Sequence, residues 1–520
     1  MSTRPCIVRS SPTIPALAFC AGFFAWALPS AQGSSTPPSS QKPAEIIVSI
    51  IGGSETEGRD GGFRALTAAY ARIHPEVRVI VEDKGNGYGV GYPAWLSTQL
   101  ASGAPRPDIV SANYCTDYAH YVNLDYYAMQ TNPYTGQAMN QGIDFNFFRT
   151  TNSRGERILL STQMVKVLWY YNRNVFDRLG LKPPETWDAL LQTCEKLRAA
   201  GMVPLSLRFN YRYYQWLLEV LFDQYSRPYI NLIRAQPGDW CFDPARDGSW
   251  SYNPADPFND SVPTVNYARL LRAIKRGDIR YDDAAFQQTL ENLKSIARYA
   301  PADFLVDTPS TDAEAYTLFL NGVAAIHLDT SSLLFRLDDD LAGAGGFKWG
   351  TFDTPPQVNA WVKAPVRSVE SSSGEYVGII SKNQPQTDRV IDFLHFWLSP
   401  VGYQTYVDGQ LATGCFQPAG MIMVHHVSLP PRFQTRIASM VRRGNAEIQL
   451  NYISSFFPQG SRLLNGFKQT LTDMVQDKIT TQTAARQIQE AMQAGVVDIL
   501  SRNRLDQSFL DHPELDPNSR

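Results

Sequence analysis

Several groups of side chains in this sequence have types and spacings suited to polar chemistry. Glu55 and Glu57 stand two residues apart behind an apolar run, and paired carboxylates serve either as acid and base or as acceptors of hydroxyl protons. Asn113 and Tyr114 join an amide to an aromatic ring. The segment Arg208-Phe209-Asn210-Tyr211-Arg212-Tyr213-Tyr214-Gln215-Trp216 is the densest polar-aromatic cluster of the chain. In it Trp216 offers a stacking face, with Arg208 and Asn210 as polar partners. Asp329 and Ser332 follow the run ending at Leu328, and Glu370 precedes Ser371–Ser373. Each group also has a plain structural reading. Adjacent loop acids are commonly solvated, and Trp216, Leu217 and Val220 fit a helical stripe against a core. Asp338-Asp339-Asp340 reads as a solvated acidic loop.

Other chemistries lack their residues. The sequence contains no G-x-x-x-x-G-K-[ST], H-E-x-x-H or G-x-S-x-G, and Gly85–Gly91 misses the G-x-G-x-x-G spacing. His425-His426 has no acidic neighbour at metal-ligand spacing, so no metal and no cofactor is expected. With 47 Lys+Arg against 50 Asp+Glu, the charge balance gives no footprint for nucleic acid or anionic lipid.

The elements that must hold these residues alternate. Ile46–Ile51 is a buried-strand run ending at Gly52-Gly53. Phe63, Leu66, Ala69, Tyr70 and Ile73 recur at helical spacing before His74-Pro75. Val77–Val81 is a second strand, Trp95–Leu100 a short helix and Asp108–Val110 a third strand. A β-α-β-α-β order implies a mostly parallel sheet with helices on both faces, and ligands bind beyond the carboxyl ends of its strands. A second α/β unit holds the strand Val165–Tyr171 and a helix from Trp187 to Ala200, with Thr186 as N-cap. Phe319–Ile326 turns a helix into a strand, Tyr376–Ser381 is again a buried strand, and Phe467–Leu500 is helical. Residues 237–265 show little periodicity and read as a surface excursion.

Arg4 and Arg9, the apolar run Ala16–Leu28 and the small residues after it describe a secretory signal peptide with cleavage near Ala31-Gln32-Gly33. A periplasmic or secreted location follows. Lipid anchoring at Cys20 is disfavoured by the bulky Phe19. Of six cysteines, Cys115, Cys194, Cys241 and Cys415 remain after cleavage, and three pairings are open to them.

Four stretches in fixed order carry a resemblance. They are Tyr92–Gly103 with Pro107-Asp108-Ile109-Val110; Leu168–Phe176 followed by Gly180-Leu181, Pro184 and Thr186-Trp187-Asp188; Phe319–Ile326; and Phe393–Ser399 with Gln404. Together they resemble the family 1 extracellular solute-binding proteins, the binding components of ABC importers for sugars and similar solutes. The resemblance implies an α/β fold of two lobes, each a mostly parallel sheet flanked by helices, with a hinge between them. The implied layout is signal peptide 1–33, flexible tether 34–44, lobe one 45–165 and 355–412, lobe two 166–354 and 413–505, and tail 506–520. An insertion falls near 225–275.

This layout brings Gln163 near the first crossover and puts the Arg208–Trp216 cluster where family members commonly contact ligand. Solute bridges the lobes, and its contacts offset the cost of closure. The 12% aromatic content, with 25 Tyr and 10 Trp, suits the apolar faces of sugars. The expected protein is a monomer that delivers a carbohydrate to ABC permease subunits without chemistry. The rivals are a periplasmic carbohydrate-active enzyme, with Glu55, Glu57, Asp329 or Glu370 as acid and base, and a sensory binding protein.

Overall fold

The computed structural model describes residues 42–517 apart from 53–55, 87–90, 112–119, 145–155, 307–310, 343–345, 373–376, 415, 417, 448–450, 452 and 458–460. The export signal and Cys20 lie outside these residues. The strands are β1 Ala44–Gly52, β2 Val77–Asn86, β3 Ile109–Ser111, β4 Leu159–Leu160, β5 Gln163–Asn172 and β6 Val203–Leu205. They continue with β7 Ala324–Thr330, β8 Trp349–Phe352, β9 Glu370–Ser372, β10 Val377–Ile379 and β11 Met421–Ile422.

Two sheets form. The first has the order β2-β1-β3-β10-β4; the second has the order β11-β5-β7-β6, with β8 and β9 also paired to β5. Ile46, Val48 and Ile50 alternate into one apolar cluster, as the period of two requires. Beside them the buried carboxylate of Asp108 accepts from the Ile47 amide at 2.7 Å and pairs with Lys382 at 3.0 Å.

The β1–β2, β1–β3 and β6–β7 pairs are parallel, but β10 runs antiparallel to β3 and β4, and β5 antiparallel to β7, β8, β9 and β11. The sheets are thus more mixed than alternating strands and helices imply. The cause is β5, which enters the second sheet directly from the first. β4 ends at Leu160, and only Ser161 and Thr162 separate it from β5. β5 is buried on both faces: Val167, Trp169 and Tyr171 join one large apolar cluster, and Met164, Leu168 and Tyr170 join the other.

Strand pairing stays in the second sheet through β8 and β9, whereas β10 pairs in the first. Residues 356–369 between them are held by polar contacts instead of strand periodicity. Gln357 donates to the Leu221 carbonyl at 2.9 Å, and Arg367 grips Asp223 and Asp260. The last passage leads from the helix Pro400–Ala412 to β11. That helix packs on Thr56–Ile73 so closely that a Cβ on Gly61 would stand 2.5 Å from the Gly409 carbonyl oxygen.

The helix Trp187–Ala199 buries Trp187, Leu190, Cys194 and Leu197, and the Thr186 hydroxyl caps it by accepting from the Ala189 amide at 3.1 Å. The tail forms two helices, Arg462–Val475 and Thr481–Arg502. Cys194 and Cys241 are free buried thiols, while Cys115 and Cys415 lie outside the described residues. The acidic run is solvated, but it is helical and not a loop. It sits in the helix Leu337–Ala342, where Asp338 pairs with Arg436 at 2.7 Å, Asp339 with Arg432 at 3.4 Å, and Asp340 accepts from Tyr316 at 2.6 Å.

Candidate functional site

Because β6 and β7 are parallel neighbours, the segments leaving their carboxyl ends emerge side by side. Arg208, Asn210 and Trp216 follow β6, and Asp329 closes β7, which brings these four together. The chain after β6 turns into a π-helical segment, Arg212–Leu217. Such turns are rare and concentrate at functional sites.

Arg212 is the centre of this cluster. Its guanidinium donates to Asp329 Oδ1 at 3.0 Å, pairs with Asp312, and lies over the rings of Tyr211 and Trp216 at 5.1 and 5.7 Å. The two rings meet edge to face at 4.8 Å. Trp216 is half-buried, with one part packed against the core. Asn210 accepts from the Arg212 amide at 3.1 Å and donates to Asp312, while Arg208 pairs with Asp303.

Burial pushes the Asp329 carboxyl up, but Arg212 and the hydrogen bond from His327 outweigh it and hold the group well below the usual carboxylate range. Burial acts the other way on His327 and keeps its imidazole below the ordinary value, although Asp329 opposes this. Asp329 also accepts from the Thr330 amide at 2.7 Å. Ser332 lies just beyond, half-buried, with its hydroxyl 2.7 Å from that of Thr330.

Gln163 and Glu370 occupy a second neighbourhood, at the start of β5. Gln163 is buried and accepts from the Ala419 amide at 2.7 Å. Glu370 is fully buried and its oxygens are engaged: it accepts from the Ser368 hydroxyl and the Arg443 amide, both at 2.6 Å. Lys166 stands 3.7 Å from it and 2.7 Å from Asp353. A cavity of about 670 Å³ lies on this flank, bordered by Leu168, Phe352, Asp353, Val366, Val441 and Arg443. The Lys166 amide donates to Ser331 at 3.0 Å, which ties this neighbourhood to the end of β7.

Glu57 lies in the first turn of the helix Thr56–Ile73. Glu55, Asn113 and Tyr114 fall outside the described residues. Arg212, Asp312 and His327 are members of the cluster that sequence reading did not single out. Arg212 lay in plain view within the polar-aromatic segment. Asp312 and His327 carry no local signal, since only β7 and the helix before it bring them there.

The model of the bacterial extracellular solute-binding protein family matches residues 53–404. The chain belongs to this family. A curated relative, the melibiose/raffinose/stachyose-binding protein MelE of Bacillus subtilis strain 168, is 26% identical over 176 residues. That match covers 33% of this solute-binding protein and 38% of the relative. Two solved structures share the fold. A chitin oligosaccharide binding protein superposes with a TM-score of 0.55 at 16% identity, covering 87% of this chain and 100% of its own. A family 1 extracellular solute-binding protein from Bifidobacterium longum subsp. infantis gives 0.56 at 14%, covering 87% and 99%. The two-lobed architecture expected from sequence is therefore the fold of this chain. The family is extracytoplasmic, and among the described residues no helix is long and apolar enough to cross a membrane.

Proposed function

We propose that this solute-binding protein captures an uncharged sugar or oligosaccharide between its lobes and hands it to an ABC importer, without chemistry of its own. The observation that carries the reading is the pairing of aromatic rings with fully matched cations. Tyr211 and Trp216 offer ring faces, and beside them Arg212 is matched by Asp312 and Asp329, and Arg208 by Asp303. A site for phosphorylated or acidic solutes keeps cations in excess. Here carboxylates outnumber the guanidinium they hold, which suits neutral hydroxyls that both donate and accept. The oligosaccharide-binding relatives support the same class of solute. Glu55, Glu57, Asn113 and Tyr114 are the solute contacts this reading expects from lobe one, while Gln163 and Glu370 belong to the neighbourhood at the start of β5.

The test is a thermal-unfolding panel of mono-, di- and oligosaccharides with the mature protein. A solute present at a hundred times its Kd stabilises the folded state by about 2.7 kcal/mol, enough for a clear rise in Tm. Absence of any shift, together with turnover of a glycoside, overturns the proposal in favour of an enzyme.

A further inference from the structure

Behind Arg212 runs a chain of three buried side chains, Ser206, His327 and Asp329, of which the binding reading uses only Asp329. The Ser206 hydroxyl lies 2.6 Å from Nδ1 of His327, and Nε2 of His327 lies 3.1 Å from Oδ2 of Asp329. Ser206 and His327 are each 2% exposed. The imidazole is flanked by Phe319, stacked at 5.6 Å, and by Tyr316, also at 5.6 Å, so it has little room to turn.

The partners fix the Nε2 proton of this chain. An ionised carboxylate only accepts, so Nε2 carries the hydrogen that reaches Asp329. Burial disfavours the charged ring. In the neutral Nε2–H tautomer Nδ1 holds a lone pair, to which the Ser206 hydroxyl donates in place of the Ile326 carbonyl, 3.3 Å away. Asp329 then has one oxygen held by His327 and turns the other to Arg212. Ser–His–Asp is also the order of a hydrolase triad. Here the hydroxyl is sealed at the end of β6, where it also lies 3.3 Å from the Ile326 carbonyl, so the chain positions groups and does not attack a substrate.

We propose that His327 is a positioning residue for solute capture: as the neutral Nε2–H tautomer, set by Ser206, it holds Asp329 in the orientation that fixes Arg212 beside the Tyr211 and Trp216 rings. The inference rests on the carbohydrate site proposed above. Besides Ser206, the titratable and charged groups around the imidazole are Asp329, Arg212, Asp312, Tyr316 and, across the strand pair, Tyr170.

The experiment combines histidine and arginine side-chain nitrogen NMR with calorimetric binding on the full mature protein, for wild type, Ser206→Ala and His327→Phe. The second variant keeps an aromatic ring between Phe319 and Tyr316. The wild type should show an Nε2–H tautomer that does not titrate between pH 8 and 5.5, and a solute affinity that is flat over that range. Ser206→Ala should mix the tautomers, make affinity fall on acidification, and broaden the Arg212 guanidinium signal. His327→Phe should weaken binding about tenfold or more, the scale of a hydrogen bond to a charged group. An imidazolium or Nδ1–H ring in the wild type overturns the proposal, as do unchanged affinities in both variants. If the wild type binds no carbohydrate, the functional reading falls by itself. The Arg212 signal then judges the relay: a change in Ser206→Ala upholds it, and an unmoved signal overturns it.

Discussion

Arg212 donates to Asp329 at 3.0 Å, and both side chains are about nine-tenths buried, at 11% and 10% exposure. A buried pair of this kind is costly to break from one side, because the partner keeps its charge without compensation. Asp329→Asn should therefore lower the free energy of unfolding by about 3 kcal/mol. It should also loosen Arg212 from the Trp216 ring and weaken solute binding. Urea denaturation and calorimetry on the same variant read the two effects separately.

Trp216 divides the same way between core and cleft. Trp216→Phe keeps the packing part of the ring and should leave Tm within a few degrees, whereas Trp216→Ala removes the stacking face. For Trp216→Ala, carbohydrate binding should be lost at solute concentrations that saturate the wild type, with the far-UV spectrum unchanged. Full affinity in Trp216→Ala would return this residue to the core.

Acid should weaken the fold through this cluster. Both His327 and Asp329 bind protons less readily when folded than when unfolded. The His327 contribution is complete above its ordinary value of 6.5 and is lost as pH falls below it. The Asp329 contribution follows at lower pH, through the range where an unfolded carboxylate protonates and down to its depressed folded value. Between pH 5 and 7 the unfolding free energy of the wild type should change more positively with pH than that of His327→Phe, which lacks this titration. An equal slope in both proteins would show that His327 makes no such contribution.

Much of this was legible in sequence because it is local. The apolar runs of β1, β5, β7 and β10 are continuous enough to announce buried strands, and Thr186 caps its helix where the spacing expects it. The Arg208–Trp216 cluster was visible because its residues are adjacent in the chain. What failed to show is what the tertiary fold pairs. His327 is one histidine in a strand until β6 places Ser206 against it. The ion pairs of the exposed Asp338 and Asp339 did not show because their partners Arg436 and Arg432 lie almost a hundred residues away. The excursion 237–265 lacks periodicity because polar contacts hold it: Asp247 accepts from the Thr264 amide at 2.7 Å, and Asp239 grips Arg269 through two hydrogen bonds. Hydrophobic patterns do not record such contacts.

Glu219 is a carboxyl under strain of another kind. It lies in the helix Leu218–Ser226, is fully buried, and among the described residues neither oxygen has a hydrogen-bond partner. Burial raises its pKa well above the ordinary value, helped by Glu447 and Asp223. The folded protein thus holds a proton that the unfolded chain releases, so this group costs stability as pH rises above about 4.5. Glu219→Gln should raise Tm at pH 8 and give little gain at pH 4. The difference measures the cost of keeping the carboxyl protonated in the fold, about 1.4 kcal/mol for each pH unit between the unfolded and folded pKa. A variant no more stable than wild type at pH 8 would mean that the carboxylate finds compensation on ionising.

The polar anchor of the excursion is the remaining test. Arg367 donates to Asp223 at 2.6 and 2.8 Å and to Asp260 at 2.8 and 3.0 Å, and Arg227 reaches Asp260 at 3.1 Å. Two cations and two anions, all at most 1% exposed on their side chains, form one neutral bracket between the helix Leu218–Ser226, the excursion and the approach to β9. Removing one member leaves an unmatched buried charge, so Arg367→Met should cost about 3–5 kcal/mol and Asp260→Asn a similar amount. Because the two share partners, the double variant should cost less than the sum, and that shortfall measures their coupling. Limited proteolysis gives the local readout. If the bracket pins the excursion, cleavage within 237–265 should quicken in Arg367→Met before the rest of the chain is attacked, while uniform cleavage along the chain would mean that Arg367 supports the lobe and not the excursion.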